Sequence, residues 1–350
     1  MRWQNLTICE EEQARLPGYR DEAVVRRFDA PQALDMRFYE VRARSALNRV
    51  PAASRMPFRW TVNPYRGCSH ACVYCFARPT HTYLDFDAGR DFEREIVVKV
   101  NVPEVMRAEL NRPSWKREHV AMGTNTDPYQ WVEGRYQLMP GIWEALRDSA
   151  TPCSVLTKSP LLLRDLSLMR QIAQVTDMHA NLSIPTLDEK AWRATEPHTP
   201  HPRARLEAVA ELNRAGIATG VLIAPLMPGI NDAPEQIAPL LRLAIEAGAT
   251  GIGGIALHLR GEVRGLFMEW LAVHRPELVE RYQELYRKGA YAPAAERRRL
   301  SALVAHGSQW SARMRGSDPA RPSTAPRRRV HSGGTGKEAP ELPVPQPALF

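Results

Sequence analysis

Residues 67–75 are Gly-Cys-Ser-His-Ala-Cys-Val-Tyr-Cys, which places Cys68, Cys72 and Cys75 in a C-x3-C-x2-C spacing. Thiolates are the soft ligands that iron–sulfur clusters require, and such clusters usually take four of them. Three thiolates on one short loop can hold three irons of a [4Fe-4S] cluster, which leaves the fourth iron without a protein ligand. An open iron of this kind is what a reaction needs if a reactant must coordinate the cluster.

A zinc site is the main alternative for this loop, with His70 or His81 as the fourth ligand. Zinc sites favour two separated C-x2-C-like pairs, and the chain has no second pair. A second alternative is that the three cysteines are buried structural residues. The remaining cysteines, Cys9 and Cys153, have no partner at a ligand spacing and are interpreted as structural.

Short β-like runs alternate with apolar-periodic helical segments on both sides of residue 150. The β-like runs are Arg59–Pro64, Glu95–Val102, His119–Gly123, Cys153–Thr157, Ala180–Ile184, Ile217–Ile223 and Gly251–Leu257, and the clearest helical segments are Pro140–Ser149, Leu161–Val175, Pro202–Ala215 and Pro234–Ala247. Alternation at this spacing predicts an α/β fold, a partial (β/α)6 barrel similar to a TIM barrel. Its active site should lie at the carboxyl ends of the strands.

Composition divides the chain of 350 residues into four parts. Residues 1–58 are predicted to be a polar, Arg-rich extension, residues 59–260 the core, residues 261–312 a helical extension, and residues 313–350 a disordered basic, Pro-rich tail. The few cysteines, and the absence of a secretory signal or a long apolar run, predict a cytoplasmic protein.

The cysteine spacing is the defining motif of the radical S-adenosylmethionine superfamily, which this chain resembles. The resemblance implies a [4Fe-4S] cluster whose open iron binds S-adenosylmethionine, and one-electron cleavage of that cofactor to a 5′-deoxyadenosyl radical. It also implies an external electron donor. The residue before the last cysteine of the motif is usually aromatic and lies near the adenine, and Tyr74 fits this pattern.

Beyond the cysteines, residues 60–258 resemble the photolyase-related branch of this superfamily, which includes spore photoproduct lyase. The segments that carry the resemblance are 121–130 (AMGTNTDPYQ), 156–159 (LTKS), 181–184 (NLSI), Glu196-Pro197 with Arg205-Leu206, and 221–225 (VLIAP). The resemblance implies that Asn125, Lys158, Ser183, Glu196 and Arg205 surround S-adenosylmethionine together with Tyr74. A lysine and a serine are suitable partners for its carboxylate.

Two positions depart from spore photoproduct lyase. That enzyme has a hydrogen-donor cysteine in the loop that here contains Gly123-Thr124, and a tyrosine directly after the third cluster cysteine, where this chain has Phe76. Repair of the spore lesion is therefore not predicted, and the substrate stays open. DNA or another nucleic acid is the first hypothesis; a peptide, a tRNA or a metabolite is the second; a non-catalytic zinc-binding adaptor is the third.

The charge and the last five residues bear on partners. The net charge is +8, and half of it lies from residue 313 onward. Charge alone therefore does not decide whether the protein binds nucleic acid. The chain ends Gln346-Pro-Ala-Leu-Phe350, which resembles the short peptide by which bacterial repair proteins dock on the sliding clamp. A flexible tether with two apolar anchors suits such docking.

Overall fold

The structure is a computed structural model that describes residues 6–18, 22–30, 33, 35–54 and 56–316, the last eleven of these as backbone only. Its main feature is a seven-stranded sheet in the order β12-β11-β10-β9-β8-β5-β4. Its strands are β4 (Leu47–Arg49), β5 (Trp60–Val62), β8 (Val120–Met122), β9 (Cys153–Thr157), β10 (Met178–Ser183), β11 (Ala218–Leu226) and β12 (Ile252–Ala256).

Six of these strands run parallel, namely β5, β8, β9, β10, β11 and β12. Strand β4 joins the edge of the sheet antiparallel to β5. From β8 to β12, neighbouring strands follow one another in sequence, because helical segments between them return the chain to the same end of the sheet. The predicted partial (β/α)6 barrel is thus confirmed. The core strands are buried, apolar runs, as expected for a parallel sheet covered by helices.

Helices surround this sheet. They are α1 (Arg90–Arg94), α2 (Val102–Leu110), α3 (Glu133–Tyr136), α4 (Leu138–Asp148), α5 (Leu166–Val175), α6 (Glu189–Thr195), α7 (Pro202–Arg214), α8 (Pro234–Glu246), α9 (Glu262–His274), α10 (Val279–Leu285) and α11 (Ala294–Gly316), with 3-10 helices at Arg78–Leu84, Pro160–Asp165 and Pro276–Leu278. In α4 the buried residues Met139, Ile142, Trp143 and Leu146 recur at helical spacing and face the main core.

A second, five-stranded sheet has the order β1-β2-β3-β7-β6. Its strands are β1 (Ile8–Arg15), β2 (Glu22–Phe28), β3 (Arg37–Val41), β6 (Tyr65–Arg66) and β7 (Glu95–Lys99). The run Glu95–Val102 was predicted as one unit of the barrel, and that placement is wrong. Residues 95–99 form β7, which pairs with β3 and β6, and Val102 begins α2.

The N-terminal extension contributes β1 to β4, a role that composition alone did not predict. Phe28, Phe38 and Val98 form an apolar core on one face of the second sheet, while Glu40 and Arg26 pair on polar positions of β3 and β2. Tyr39 and Val97, which alternate with Phe38 and Val98 along their strands, lie in a second apolar cluster, so this sheet buries side chains on both faces.

Helices α9 to α11 follow β12, and α11 packs on β12 and α8. This last helix continues to Gly316, past the predicted start of the tail at residue 313. The clamp-like peptide Gln346–Phe350 lies outside the described residues. Within the part of the chain that the structure describes, no helix combines the length and apolar character needed to cross a membrane.

Candidate functional site

The cysteine loop begins where β6 ends, between the two sheets. Gly67 turns the chain with φ of +78°, a conformation that favours glycine. The N–H of Cys68 then donates to the carbonyl of Phe92 at 2.9 Å, and the N–H of Val73 donates to the carbonyl of Thr195 at 3.1 Å. These bonds fix the loop to segments on both sides of it. Cys68 and Cys72 are buried, and Cys75 is half-buried.

Arg78 fixes the backbone of the loop through its buried guanidinium group. Its Nε donates to the carbonyl of Cys72 at 3.0 Å, and its Nη2 donates to that of Ala71 at 3.2 Å. Its Nη1 donates to the carbonyls of Ala88 and Gly89 at 3.1 and 2.8 Å. A planar group with five N–H donors suits this task, because it can bind several carbonyl groups at once.

Gln130 holds the start of the same loop. Its Oε1 accepts a hydrogen bond from the N–H of Ser69 at 2.9 Å, and its Nε2 donates to the carbonyl of Gly67 at 3.1 Å. The side chain is fully buried. The side-chain amide of Gln130 therefore fixes both Gly67 and Ser69, the residues on either side of Cys68.

Asp127 connects the loop to the ends of β8 and β9. Its carboxylate accepts from the hydroxyl of Thr157 at 2.6 Å and the N–H of Lys158 at 2.8 Å, and it lies 3.3 Å from Nδ1 of His70. Burial acts to raise the pKa of Asp127, but the charge on His70 and these donors outweigh it and lower the pKa to about 2. Asp127 is thus ionised at neutral pH and fixes His70.

The polar loop after β8 approaches β9 closely at Gly123. Its φ is +76°, and a Cβ atom there would lie 1.8 Å from the carbonyl oxygen of Leu156. Only glycine fits this position. The two strand ends, and the polar residues that follow each of them, are therefore held side by side.

A buried charge network lies at the carboxyl ends of β9 and β10. The Glu196 carboxylate pairs with Lys158 at 3.1 Å and with Arg205 at 2.7 Å. Burial acts to raise the pKa of Glu196, but these two cations outweigh it and lower the pKa to about 2. With two cations and one carboxylate, the network carries one net positive charge.

Ser183 and Tyr74 complete this network. Lys158 Nζ donates to Ser183 Oγ at 2.6 Å, and the Tyr74 hydroxyl donates to Glu196. Lys158 Nζ also lies 5.7 Å from the centre of the Tyr74 ring. Arg205 donates to the carbonyl of Ser183 at 2.8 Å. Lys158 is the more accessible cation, with 14% of its side chain exposed against 0% for Arg205, so it is the one that can reach a ligand.

The structure therefore brings together five of the six residues that were predicted to surround the cofactor: Tyr74, Lys158, Ser183, Glu196 and Arg205. The sixth, Asn125, is half-buried in the loop after β8 and takes no part in this network. Its place at the carboxyl end of β8 puts it on the same edge of the sheet as the others.

The residues of the cysteine loop suit an iron–sulfur cluster. Burial raises the pKa of the Cys72 thiol, and it raises that of Cys75 to about 11, so a bound cation must supply the charge that stabilises their thiolates. Ser69 Oγ and His70 Nε2 are buried without a hydrogen-bond partner among the described residues. Such groups are available to donate to the sulfides of a cluster.

The two histidines of the zinc alternative have other environments. His70 faces Asp127, and His81 Nε2 lies 2.9 Å from the carbonyl oxygen of Glu95, with its ring stacked on Phe86. Among the described residues, no group of three or more His, Cys, Asp or Glu side chains is arranged to hold a metal ion. A single zinc ion needs its ligands to converge on one point, whereas each thiolate of a cluster binds its own iron.

Sequence reasoning missed the two residues that hold the loop. Arg78 carried no motif, and Gln130 appeared only as the last letter of the segment 121–130. The sequence offered one signal, an arginine three residues after Cys75. Its hydrogen bonds to the loop carbonyls become apparent only in the folded structure.

The sequence model of the Radical SAM superfamily matches residues 62–242, and the chain belongs to this superfamily. It is 50% identical over 309 residues to an uncharacterized protein of Mycobacterium tuberculosis, a match that covers 87% of this chain and 91% of that protein. It is 26% identical over 199 residues to an uncharacterized protein of Methanocaldococcus jannaschii, covering 55% of this chain and 69% of that protein.

Among solved structures, the fold is similar to that of spore photoproduct lyase complexed with dinucleoside spore photoproduct. The TM-score is 0.57 at 15% sequence identity, and the match covers 78% of this chain and 79% of that one. A mutant of the same lyase with bound AdoMet and the same dinucleoside gives a TM-score of 0.58 at 14% identity, with the same coverage. These likenesses show the fold.

Proposed function

We propose that this protein is a radical S-adenosylmethionine enzyme whose [4Fe-4S] cluster is held by Cys68, Cys72 and Cys75. The observation that carries the proposal is the position of the three thiols. They lie on one fixed loop beside a buried network with net positive charge, at the carboxyl edge of a partial (β/α)6 barrel. A site of this kind can hold a cluster and, next to it, a cofactor with a carboxylate group.

The residues of the network would have distinct roles toward S-adenosylmethionine. Lys158 supplies the charge for the methionyl carboxylate, and Ser183 supplies a donor beside it. Glu196 and Arg205 position Lys158. Tyr74 offers its ring toward the adenine, and Asn125 offers an amide from the loop after β8.

When bound, the cluster and S-adenosylmethionine would supply one-electron cleavage of the sulfonium to methionine and a 5′-deoxyadenosyl radical. The electron comes from an external donor. The contribution of this chain is to fix the loop through Arg78 and Gln130 and to keep the buried network ordered.

A nucleic acid is the proposed substrate class, in a DNA-repair or nucleic-acid modification reaction. Support comes from the fold likeness to a lyase solved with a dinucleoside lesion. Gly123-Thr124 and Phe76 stand where that lyase has its donor cysteine and tyrosine, so the proposed reaction is not repair of the spore lesion. A peptide, a tRNA or a metabolite is the alternative.

Reconstitution with iron and sulfide under anaerobic conditions tests the proposal. The protein should turn brown and, after reduction with S-adenosylmethionine present, release 5′-deoxyadenosine. Replacing Cys68, Cys72 and Cys75 together by alanine should abolish both signals, because no other ligands hold the cluster. Cys9→Ala, at an exposed position on β1, is the matched control and should retain both. Colourless wild-type protein with one equivalent of zinc would contradict the proposal and support the adaptor alternative.

Binding to DNA separates the proposed substrate class from the peptide and metabolite alternatives. Phosphate contacts release counterions, so the affinity for a DNA strand should fall steeply as salt increases. Affinity that does not depend on salt, or no binding at all, would favour the peptide or metabolite alternative.

Docking on the sliding clamp is a separate proposal for the C-terminal peptide Gln346–Phe350. The full chain should bind immobilised clamp, and deletion of Leu349 and Phe350 should abolish this binding, because these are its two apolar anchors. The deletion should leave release of 5′-deoxyadenosine unchanged. Retention of clamp binding by the shortened chain would show that the peptide is not the docking element.

A further inference from the structure

Three aromatic rings form a row next to the cysteine loop. The Phe76 and His258 ring centres lie 5.7 Å apart with an angle of 35° between the ring planes, and those of His258 and Tyr291 lie 5.7 Å apart with an angle of 29°. Phe76 directly follows Cys75, so one end of the row is attached to the cluster-binding loop. His258 comes two residues after β12 ends, on the carboxyl side of the sheet.

The row is held by backbone pairing rather than by side-chain contacts alone. His258 and Tyr291 form an antiparallel bridge, and the N–H of Leu259 donates to the carbonyl of Ala290 at 2.8 Å. Burial, together with the charge of Arg260, lowers the pKa of His258, which keeps its ring neutral at pH 7. The row is thus a fixed aromatic surface.

Two of these rings face solvent. Phe76 is 51% exposed and Tyr291 is 52% exposed. In the described part of the chain, they are the two aromatic side chains among the exposed large hydrophobic residues, and both belong to this one row. A contiguous apolar surface beside a reactive site indicates a ligand contact more strongly than a scattered exposed residue does.

Two arginines lie next to Tyr291, at one of the two exposed ends of the row. Arg260 Nη2 lies 3.3 Å from the Tyr291 hydroxyl, and the Arg297 guanidinium carbon lies 6.0 Å from the centre of the Tyr291 ring. Both arginines are exposed, and the described residues provide no carboxylate that pairs with either. A shallow depression on α11, lined by Arg297, Arg298 and Ser301 among others, continues this basic surface.

We propose that Phe76, His258 and Tyr291 receive an unpaired base of a single DNA strand, while Arg260 and Arg297 contact its phosphates. Exposed rings beside two arginines that pair with no carboxylate of the described residues match the two parts of a nucleotide, because the base has a planar face that stacks on aromatic rings and the backbone is anionic. The inference rests on the proposed function, since it places the base beside the cluster loop. An aromatic acidic peptide is the competing ligand.

Fluorescence anisotropy with a labelled single-stranded DNA oligonucleotide tests this inference on the full chain. Tyr291→Leu and Phe76→Leu should each weaken binding about tenfold, the effect typical of losing one stacked base. Tyr291→Phe should bind as wild type does, because it keeps the ring. Val273→Ala, at another exposed apolar position on α9, is the matched control and should also bind as wild type.

An oligonucleotide that lacks its bases but keeps its phosphates provides the second measurement. It should bind more weakly than the intact strand, and it should bind wild type and Tyr291→Leu equally. Arg260→Gln and Arg297→Gln should each lower the slope of the salt dependence by about one, because each removes one phosphate contact.

Several results would overturn the inference. They are unchanged affinity in both leucine variants, equal affinity for the strand without bases, tighter binding of RNA of the same sequence, and tighter binding of an aromatic acidic peptide. Binding is measured without cleavage of S-adenosylmethionine. Absence of the cluster or of 5′-deoxyadenosine would therefore contradict the proposed function. The DNA-binding measurement could still be interpreted independently.

Discussion

Glu196 lies between Lys158 and Arg205, and its side chain is 1% exposed. Its pKa is lowered from the ordinary 4.5 to about 2, which means that folding favours its charged form. The stabilisation is fully present above pH 4.5 and is lost as the pH falls through about 2. A shift of this size corresponds to about 3 kcal/mol of stability at neutral pH.

Glu196→Gln should lower the free energy of unfolding by about 3–5 kcal/mol at pH 7, because it leaves two buried cations without their carboxylate. The difference from wild type should shrink between pH 4.5 and 2, where wild-type Glu196 takes up a proton. Urea unfolding across this pH range measures both effects. Glu189→Gln, in an exposed pair with Arg193, is the control and should leave the urea midpoint unchanged. Equal stability of Glu196→Gln and wild type would show that the network does not stabilise the fold.

At the scale of single elements, the cysteine loop depends on Arg78 for the position of its backbone. Arg78→Lys keeps the charge but cannot bind the carbonyls of Ala71, Cys72, Ala88 and Gly89 together. After reconstitution, the variant should lose iron to a chelator several-fold faster than wild type does. The decrease in absorbance measures this rate. Arg90→Lys, at an exposed position on α1, should lose iron at the wild-type rate. Identical rates for Arg78→Lys and wild type would show that the loop holds its shape without this side chain.

The parallel strands could be predicted from sequence because they are short apolar runs separated by periodic helices, as β9 and α5 illustrate. The pairing of β7 with β3 could not be predicted, because it joins residues 95–99 to residues 37–41 and depends on which edge is free after folding. Within the site, Lys158 and Ser183 were predicted from the resemblance of segments 156–159 and 181–184 to the photolyase-related branch. The roles of Arg78 and Gln130 do not, since carbonyl groups carry no signature in sequence.

At the scale of the whole molecule, the N-terminal sheet and the barrel depend on each other. Deleting residues 1–42 removes β1 to β3, which exposes the edge of β7 and the buried residues Ile96 and Val98. The shortened chain should be mostly insoluble and should bind a dye for apolar surfaces. A chain that ends at residue 316 is the control and should keep the melting temperature of the full chain. A soluble, brown chain lacking residues 1–42 would show that the sheet is dispensable.

The chain passes from β5 to β6, and so from one sheet to the other, across Asn63 and Pro64 only. The cysteine loop starts directly after the two residues of β6, so its orientation depends on both sheets at once. A designer who wished to transplant this loop into a simpler scaffold would therefore have to carry over two sheet edges and their angle, not a nine-residue peptide.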